Sequence, residues 1–122
     1  MNKGLNIAGK VLLVVVGLFF VMNGFFKLSG AEQAVTSFQK YGFPDWFRVL
    51  IGLAELVGGA GLIFRKTSFY AAALLAAVMV GAVGTHLLNG EFAALLMPIV
   101  LFVILAITVV KRKPAKQVDT RQ

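Results

Sequence analysis

The chain has 122 residues, of which 59% are hydrophobic and only 14% charged, so it is more apolar than a soluble domain and long enough for about four membrane spans. Its formal net charge of +7 comes from basic residues between and beyond the apolar segments, which indicates membrane topology and argues against nucleic acid as a partner. With no cysteine and one histidine, the chain lacks the usual ligands of a metal or haem site, and we predict none.

The first apolar segment is predicted to span the membrane over about residues 5-27, with an apolar run from Val11 to Phe26. A cleaved signal peptide is the competing interpretation, because Ser29 and Ala31 offer small residues for a cleavage site. The segment is long for the hydrophobic part of a signal peptide. We therefore favour a retained membrane span.

The loop after the first span carries helical signals of its own. Ser29 and Glu32 match the S-x-x-E capping box, and apolar residues follow at helical spacing until Gly42 and Pro44 end the pattern. We predict a short amphipathic helix over residues 29–41 that lies on the outer membrane surface. Its aromatic interface anchors are Tyr41, Phe43, Trp46 and Phe47.

Three further spans are predicted, over about residues 46-64, 67-88 and 92-110. Asp45 is placed to cap the second span, because a short carboxylate can accept hydrogen bonds from the free amides at a helix start. Pro98 lies inside the fourth span, where we expect a local kink at most.

The distribution of basic residues predicts the orientation. With both termini in the cytoplasm, only Lys27, Lys40 and Arg48 of the twelve Lys and Arg residues are external. The predicted fold class is all-α, an integral membrane four-helix bundle over residues 1-110 with a short interfacial helix between the first two spans. Residues 111-122 are predicted to form a basic cytoplasmic tail. The predicted location is the cytoplasmic membrane of a bacterium or an archaeon.

A carboxylate in the second span lies deep in the predicted membrane. At 1.5 Å per residue, Glu55 is roughly 13 Å from the outer end of its helix. Insertion scales assign an acidic residue at such a depth a cost of about 2.5 to 3.5 kcal/mol. Its helix face also carries Arg48, Gly52 and Gly59. We therefore expect Glu55 to face the bundle interior with a partner or a proton.

Polar side chains of three spans are predicted to converge in the outer half of the bundle. The predicted pocket consists of Asn23, Lys27, Arg48, Glu55, His86 and Asn89. Two interpretations of Glu55 stay open, a ligand or proton site and a structural ion pair with one of three residues: Arg48, Lys27 or His86. Asn23 is interpreted as a residue that hydrogen-bonds between helices. The small residues from Ala73 to Thr85 at four-residue spacing are interpreted as a packing ridge.

Four segments in a fixed order resemble the DoxX family of small membrane proteins, over about residues 10 to 110. They are Asn23-Gly24-Phe25-Phe26-Lys27-Leu28, Phe38-Gln39-Lys40-Tyr41-Gly42-Phe43-Pro44, Gly52-Leu53-Ala54-Glu55-Leu56-Val57-Gly58-Gly59, and an alanine-rich span that ends Thr85-His86. The resemblance implies a four-helix membrane bundle and an association with quinone-linked oxidation. It also carries family motif positions over to Lys27, Glu55 and His86.

The leading functional hypothesis is an accessory or quinone-interacting subunit of a membrane oxidoreductase, with a quinone bound non-covalently. Its expected partners are lipid, oxidoreductase subunits and further copies of the chain. One alternative is an assembly or chaperone subunit, because relatives in the resembled family also have such roles. Another is a proton-coupled transporter, which is less favoured because Arg48 and Lys27 would repel a cationic substrate.

Overall fold

The computed structural model describes residues 3–114, which form helices joined by short connections. The helices are α1 (Lys3–Ser29), α2 (Glu32–Lys40), α3 (Asp45–Ile63), α4 (Ser68–Leu88), a 3-10 turn (Phe92–Leu95) and α5 (Leu96–Lys111). Four helical segments are long and apolar enough to cross a membrane: α1, α3, α4, and the 3-10 turn with α5. The predicted all-α membrane protein with a short helix between its first two spans is thus confirmed.

The closest helix pair, α1 and α3, meets through glycines that let the two backbones touch. A Cβ atom at Gly24 would lie 2.5 Å from the amide nitrogen of Leu56 and 2.6 Å from the carbonyl oxygen of Gly52. A Cβ at Gly59 would lie 2.5 Å from the carbonyl oxygen of Gly17. Side chains at these positions would hold the helices apart, so small residues set the spacing of this pair.

The helix α4 packs between α3 and α5, whereas α1 has no Cα atom within 8 Å of a Cα atom of either α4 or α5. The fully buried apolar core joins all four spans through Phe20, Leu62, Leu75 and Leu105. Most other large apolar side chains point outward, as expected for a surface that faces lipid. Because α1 stays at a distance from both α4 and α5, there is room for two cavities beside it.

The bundle has two different ends. One end carries α2, the start of α3 and the ends of α1 and α4, and we call it the α2 end. The opposite end, which we call the terminal end, carries the start of α1, the α3–α4 connection and the end of α5. The positive-inside rule predicts that the terminal end is cytoplasmic.

Two predicted helix caps are wrong. Ser29 is the last residue of α1, and its hydroxyl donates to the carbonyl oxygen of Phe26. The N-cap of α2 is Ala31, which makes no side-chain cap bond. Likewise, Pro44 is the N-cap of α3, and Asp45 is already helical. Both candidate cap residues lie inside helices, because the connections between the helices are shorter than the cap patterns predict.

Pro98 lies near the start of the last helix, and the predicted tail begins at its end. Pro98 is the third residue of α5, where its missing N–H has no partner within the helix in any case. The 3-10 turn Phe92–Leu95 leads directly into α5 and belongs to the same span. Lys111 still belongs to α5, and Arg112 donates to the Ser68 hydroxyl at 2.9 Å. The rest of the predicted tail, residues 115–122, lies outside the described residues.

Candidate functional site

A cavity of about 1010 Å³ opens at the α2 end, between α1, α2, α3 and α4. We call it the α2 cavity. Its polar lining includes Asn23, Lys27, Glu55, Tyr41 and His86. Four of the six residues predicted for the polar pocket therefore line one space, and they come from three different spans.

An ion pair between α1 and α3 lies at the base of this cavity. The Lys27 ammonium nitrogen is 2.7 Å from Oε1 of Glu55, and the side chains are 19% and 6% exposed. Gly52 makes room for the lysine, since a Cβ there would lie 2.8 Å from the Cβ of Lys27. Apart from this pair, Oε1 of Glu55 is buried and has no hydrogen-bond donor among residues 3–114.

Arg48 shares the helix face of Glu55, as predicted, but serves a different carboxylate. Its guanidinium donates to Asp45 at 3.0 and 3.3 Å and to the backbone oxygen of Lys27. The side chain is buried and does not line the α2 cavity. Arg48 therefore joins the end of α1 to the start of α3, and the ion-pair partner of Glu55 is Lys27.

A second cluster lies beside the cavity around Glu91, in the connection between α4 and the 3-10 turn, and two of its members, Tyr41 and His86, line the cavity. Its carboxylate accepts hydrogen bonds from Lys40 at 2.7 Å and from the Tyr41 hydroxyl at 2.6 Å, and Nδ1 of His86 lies 2.8 Å away. We call these four residues the Glu91 cluster. It ties α2 to the end of α4, which are distant in sequence.

The Glu91 cluster favours a charged carboxylate. Hydrogen bonds from Lys40, Tyr41 and His86 lower the pKa of Glu91 to about 2. Its negative charge in turn raises the pKa of Lys40 and of Tyr41, chiefly through the same hydrogen bonds. At neutral pH the Glu91 carboxylate is therefore charged, and its contacts link the end of α2 to the end of α4. We call this link the latch.

Glu91 was missed by the sequence analysis, which treated it as a loop residue between two spans. The sequence offered one signal, which is that Glu91 follows a glycine five residues after His86. In the structure this glycine, Gly90, turns the chain with a φ of +69°. That turn directs the carboxylate back over the end of α4. Sequence spacing along one helix could not reveal this, because residues five apart across a turn share no helix face.

An aromatic group forms the α2-side wall of the cavity. Phe38 of α2 lies 5.8 Å from Phe43 and 6.2 Å from Phe47, and the last two rings are 5.0 Å apart, between ring centroids. Tyr41 also meets the His86 ring edge-on at 6.1 Å. Such tilted and edge contacts are the preferred geometries of aromatic pairs, so the wall is a rigid apolar surface.

Asn23 and Asn89 do not have the contacts that the sequence predicted for a shared polar pocket, and Trp46 is a predicted interface anchor. Asn23 lines the cavity, but it donates to the carbonyl of Phe19 in its own helix, so the predicted bond between helices is wrong. Asn89 is exposed, donates to the Thr85 carbonyl and does not line the cavity. Trp46 is 66% exposed beside the start of α3.

The chemistry of the α2 cavity suits a flat, largely apolar ligand with oxygen acceptors. Lys27 and His86 can present donors, Glu55 can exchange a proton, and the phenylalanine wall can stack on a ring. In the part of the chain between residues 3 and 114, no three His, Cys, Asp or Glu side chains gather as metal ligands would.

Comparison with known proteins gives three findings. The model of the DoxX-like family matches residues 11–108. A Bacillus subtilis protein named "Putative oxidoreductase CatD" is 31% identical over 92 residues, which cover 75% of this chain and 69% of the relative. YdgD of the same organism is 26% identical over 85 residues, which cover 66% of this chain and 75% of that protein. No solved structure matches the chain significantly.

Proposed function

The chain belongs to the DoxX-like family, and from this membership and the α2 cavity we propose that it is an accessory subunit of a membrane oxidoreductase that binds a quinone. The oxidoreductase partner is suggested by the printed name of the relative CatD. The quinone is suggested by the side chains of the cavity. A cytoplasmic membrane with the α2 end outside is the proposed setting.

The residues present fit a quinone headgroup. A quinone supplies two carbonyl oxygens that accept hydrogen bonds and take up protons on reduction. Lys27 and His86 are donors that line the same space, and Phe38, Phe43 and Phe47 form an aromatic wall beside them. The volume of about 1010 Å³ is at the upper end of the range for small-molecule sites, which leaves room for part of an isoprenoid tail.

The single observation that carries the proposal is the buried Lys27–Glu55 pair at the cavity base. Both partners line the α2 cavity, so a ligand bound there would contact the ammonium group and the carboxylate directly. A carboxylate of this kind can hold a proton for transfer, while the neighbouring ammonium orients an acceptor oxygen.

Access from the membrane is consistent with this role. Both α1 and α4 line the cavity, but their backbones do not approach each other closely. A hydrophobic ligand in the bilayer could therefore enter between them without crossing water. The Glu91 cluster lies at the α2 end of the same cavity, away from this opening between α1 and α4.

The proposal is tested with purified protein and decylubiquinone as the probe. We expect saturable binding and a rise in melting temperature, because a ligand that binds the folded state stabilises it. The double variant Lys27→Met with Glu55→Gln removes both charges together and should keep the fold but weaken binding at least tenfold. Asn89→Ala changes a polar residue at the same end outside the cavity and should bind as the wild type does.

Two outcomes would count against a quinone site. One is the absence of saturable binding by the wild type. The other is equal binding by the double variant, which would place any bound quinone away from the cavity base. Replacing Phe43 with leucine gives an independent check, since it removes ring stacking without changing charge and should weaken binding severalfold.

A second candidate, an assembly subunit, rests on a different observation. The small-residue ridge of α4 does not pack within the chain as interpreted from the sequence. Ala73, Ala77 and Gly81 are exposed, and a Cβ at Gly81 would meet no atom within 4 Å. Ala77 and Gly81 also line the α2 cavity, so a helix bound on this ridge would occupy the space proposed for the quinone. Such surfaces let another helix approach closely. Co-purification of a membrane partner that is lost on Ala73→Leu but kept in Glu55→Gln would favour this function.

A further inference from the structure

A smaller cavity at the terminal end of the bundle has a composition unlike the first. It measures about 460 Å³ and lies between α1 and α5 below the α3–α4 connection. We call it the basic cavity, after the four basic residues that line it: Lys10, Arg65, Lys111 and Arg112. None of the acidic residues between positions 3 and 114 lines it.

The positive charges of this cavity have no counter-ions among residues 3–114. The acidic residues there are Glu32, Asp45, Glu55 and Glu91, and the ion pairs they form involve the α2 end. Burial together with the charge of Arg65 lowers the pKa of Arg112. Cations held together in this way are stabilised by an added anion.

The cavity is also held in a defined shape. Arg112 donates to the hydroxyl of Ser68 at 2.9 Å, and this fully buried hydroxyl donates to the backbone oxygen of Arg65 at 3.1 Å. The two hydrogen bonds fix Arg112 beside Arg65 despite their repulsion. Arg112 is therefore held in place by the fold, whereas the side chains of Lys10, Arg65 and Lys111 around it are exposed.

Apolar walls continue from the basic residues toward the membrane interior. Leu12 and Leu13 of α1 face Ile104 and Ile107 of α5 across the gap between these helices. Leu12 is 45% exposed and Ile107 is 51% exposed, as in a groove open to lipid. A Cβ at Gly9 would meet nothing within 4 Å, so the space beside the charges is open.

We propose that the basic cavity binds the phosphate headgroup of an anionic phospholipid, with one acyl chain in the apolar groove between α1 and α5. Lys10, Arg65, Lys111 and Arg112 surround the phosphate, since Arg and Lys are the usual phosphate-binding side chains. The apolar groove distinguishes a lipid from a free phosphate ion. Basic pockets between membrane helices on the cytoplasmic side are typical headgroup sites, and the positive-inside rule predicts that this end is cytoplasmic.

The test measures retention of dioleoyl phosphatidylglycerol by the purified full chain, using native mass spectrometry, with dioleoyl phosphatidylcholine for comparison. We expect the wild type to retain phosphatidylglycerol at least tenfold more strongly. The double variant Lys10→Gln with Arg65→Gln should lose most of this preference. Its control, Lys66→Gln with Lys113→Gln, removes the same charge at the same end from residues that do not line the cavity, and should keep it.

A variant of unchanged charge separates shape from electrostatics. Gly9→Leu fills open space, so the fold should be retained while lipid retention falls severalfold. Equal losses in the two double variants would overturn the proposal in favour of diffuse surface attraction. Equal retention of the two lipids would also overturn it, as would displacement of the lipid by glycerol 3-phosphate at equal concentration, which would show a free anion site.

Discussion

The α2 cavity and the basic cavity are built on the same bundle but balance their charges in different ways. In the α2 cavity Lys27 is paired with Glu55, and beside this cavity Lys40 is paired with Glu91. In the basic cavity the cations have no acidic partner among the described residues. A cavity whose charges are internally neutral suits a neutral ligand with polar oxygens, whereas one with excess charge suits an anion.

The difference also separates two kinds of membrane chemistry. A buried pair is costly to break, since removing one partner leaves the other charged in an apolar setting. A cluster of like charges near the membrane surface is relaxed by removing one of them. Removing one charge should therefore be costly at the α2 end and close to neutral at the terminal end.

The largest expected effect is all or none and concerns which end faces the cytoplasm. A reporter fused after Gln122 should behave as cytoplasmic, and one inserted near Gln39 as external, because the terminal end carries most of the positive charge. A reporter after Lys66 serves as the control and should also be cytoplasmic. An external carboxyl terminus would reverse the assignment of the two cavities to the membrane faces.

The next effect is on stability. Glu55→Gln should lower the free energy of unfolding by about 3 kcal/mol, because the Lys27 ammonium then lacks its counter-ion; this is the low end of the usual range since Lys27 is 19% exposed. Lys10→Gln, which removes a charge from the basic cavity, should stay within about 0.5 kcal/mol of the wild type. Chemical denaturation in detergent measures both.

Adding Lys27→Met to Glu55→Gln should restore most of the lost stability, because no unpaired charge remains. Equal stability of Glu55→Gln and Lys10→Gln would show that the Lys27–Glu55 pair does not hold the fold. The structural interpretation of Glu55 would then lose its support, and only its role as a ligand or proton site would remain.

A substitution of smaller size compares the two ends of α1. Gly24→Ala should cost about 1 to 3 kcal/mol, since its methyl group would meet the backbone of α3 and force the helices apart. Gly9→Ala at the open end should be neutral or stabilise by up to about 1 kcal/mol, because alanine favours helix. Melting temperatures in one detergent test this, and a reversed order would refute the close contact at Gly24.

The smallest effect concerns the pH dependence of the Glu91 cluster beside the α2 cavity. Since the pKa of Glu91 is lowered to about 2 from an ordinary value near 4.5, its latch contributes fully above the ordinary value and is lost as the pH falls through about 2. As the pH is lowered, carboxyl NMR of labelled glutamate should show that Glu91 takes up its proton only near pH 2. Tyr41→Phe removes a donor and should move this titration to higher pH, whereas Asn89→Ala should not. A Glu91 carboxyl that titrates in the ordinary range would contradict the latch.

The sequence predicted the character of the site better than its pairing. The depth and helix face of Glu55 were evident, because hydropathy locates a span and 3.6 residues per turn determine which residues share a face. Its partner was not evident, since Arg48, Lys27 and His86 were all candidates. The choice of Lys27 depends on the contact of α1 with α3 at Gly24 and Gly52, which periodicity within one helix does not contain.

The cap predictions failed for a related reason. S-x-x-E at Ser29 and the carboxylate of Asp45 are local signals: Ser29 lies two residues before the N-cap of α2, and Asp45 lies one residue after the N-cap of α3. Where a positive φ at Gly30 turns the chain, α1 continues to Ser29 and α2 begins only at Glu32. Short connections in a tight bundle thus moved the boundaries by amounts that local patterns do not resolve.

The sequence by itself determined that this chain is a four-span membrane protein with an amphipathic helix after its first span, because the solvent and the helix repeat act on each segment separately. Tertiary structure alone decided that Glu91 latches α2 to α4, that Arg48 serves Asp45, and that the cations of the terminal end meet in one cavity. Those outcomes depend on how closely helices approach and rotate against one another, and in this bundle that is set by backbone contacts at glycines between residues far apart in the chain.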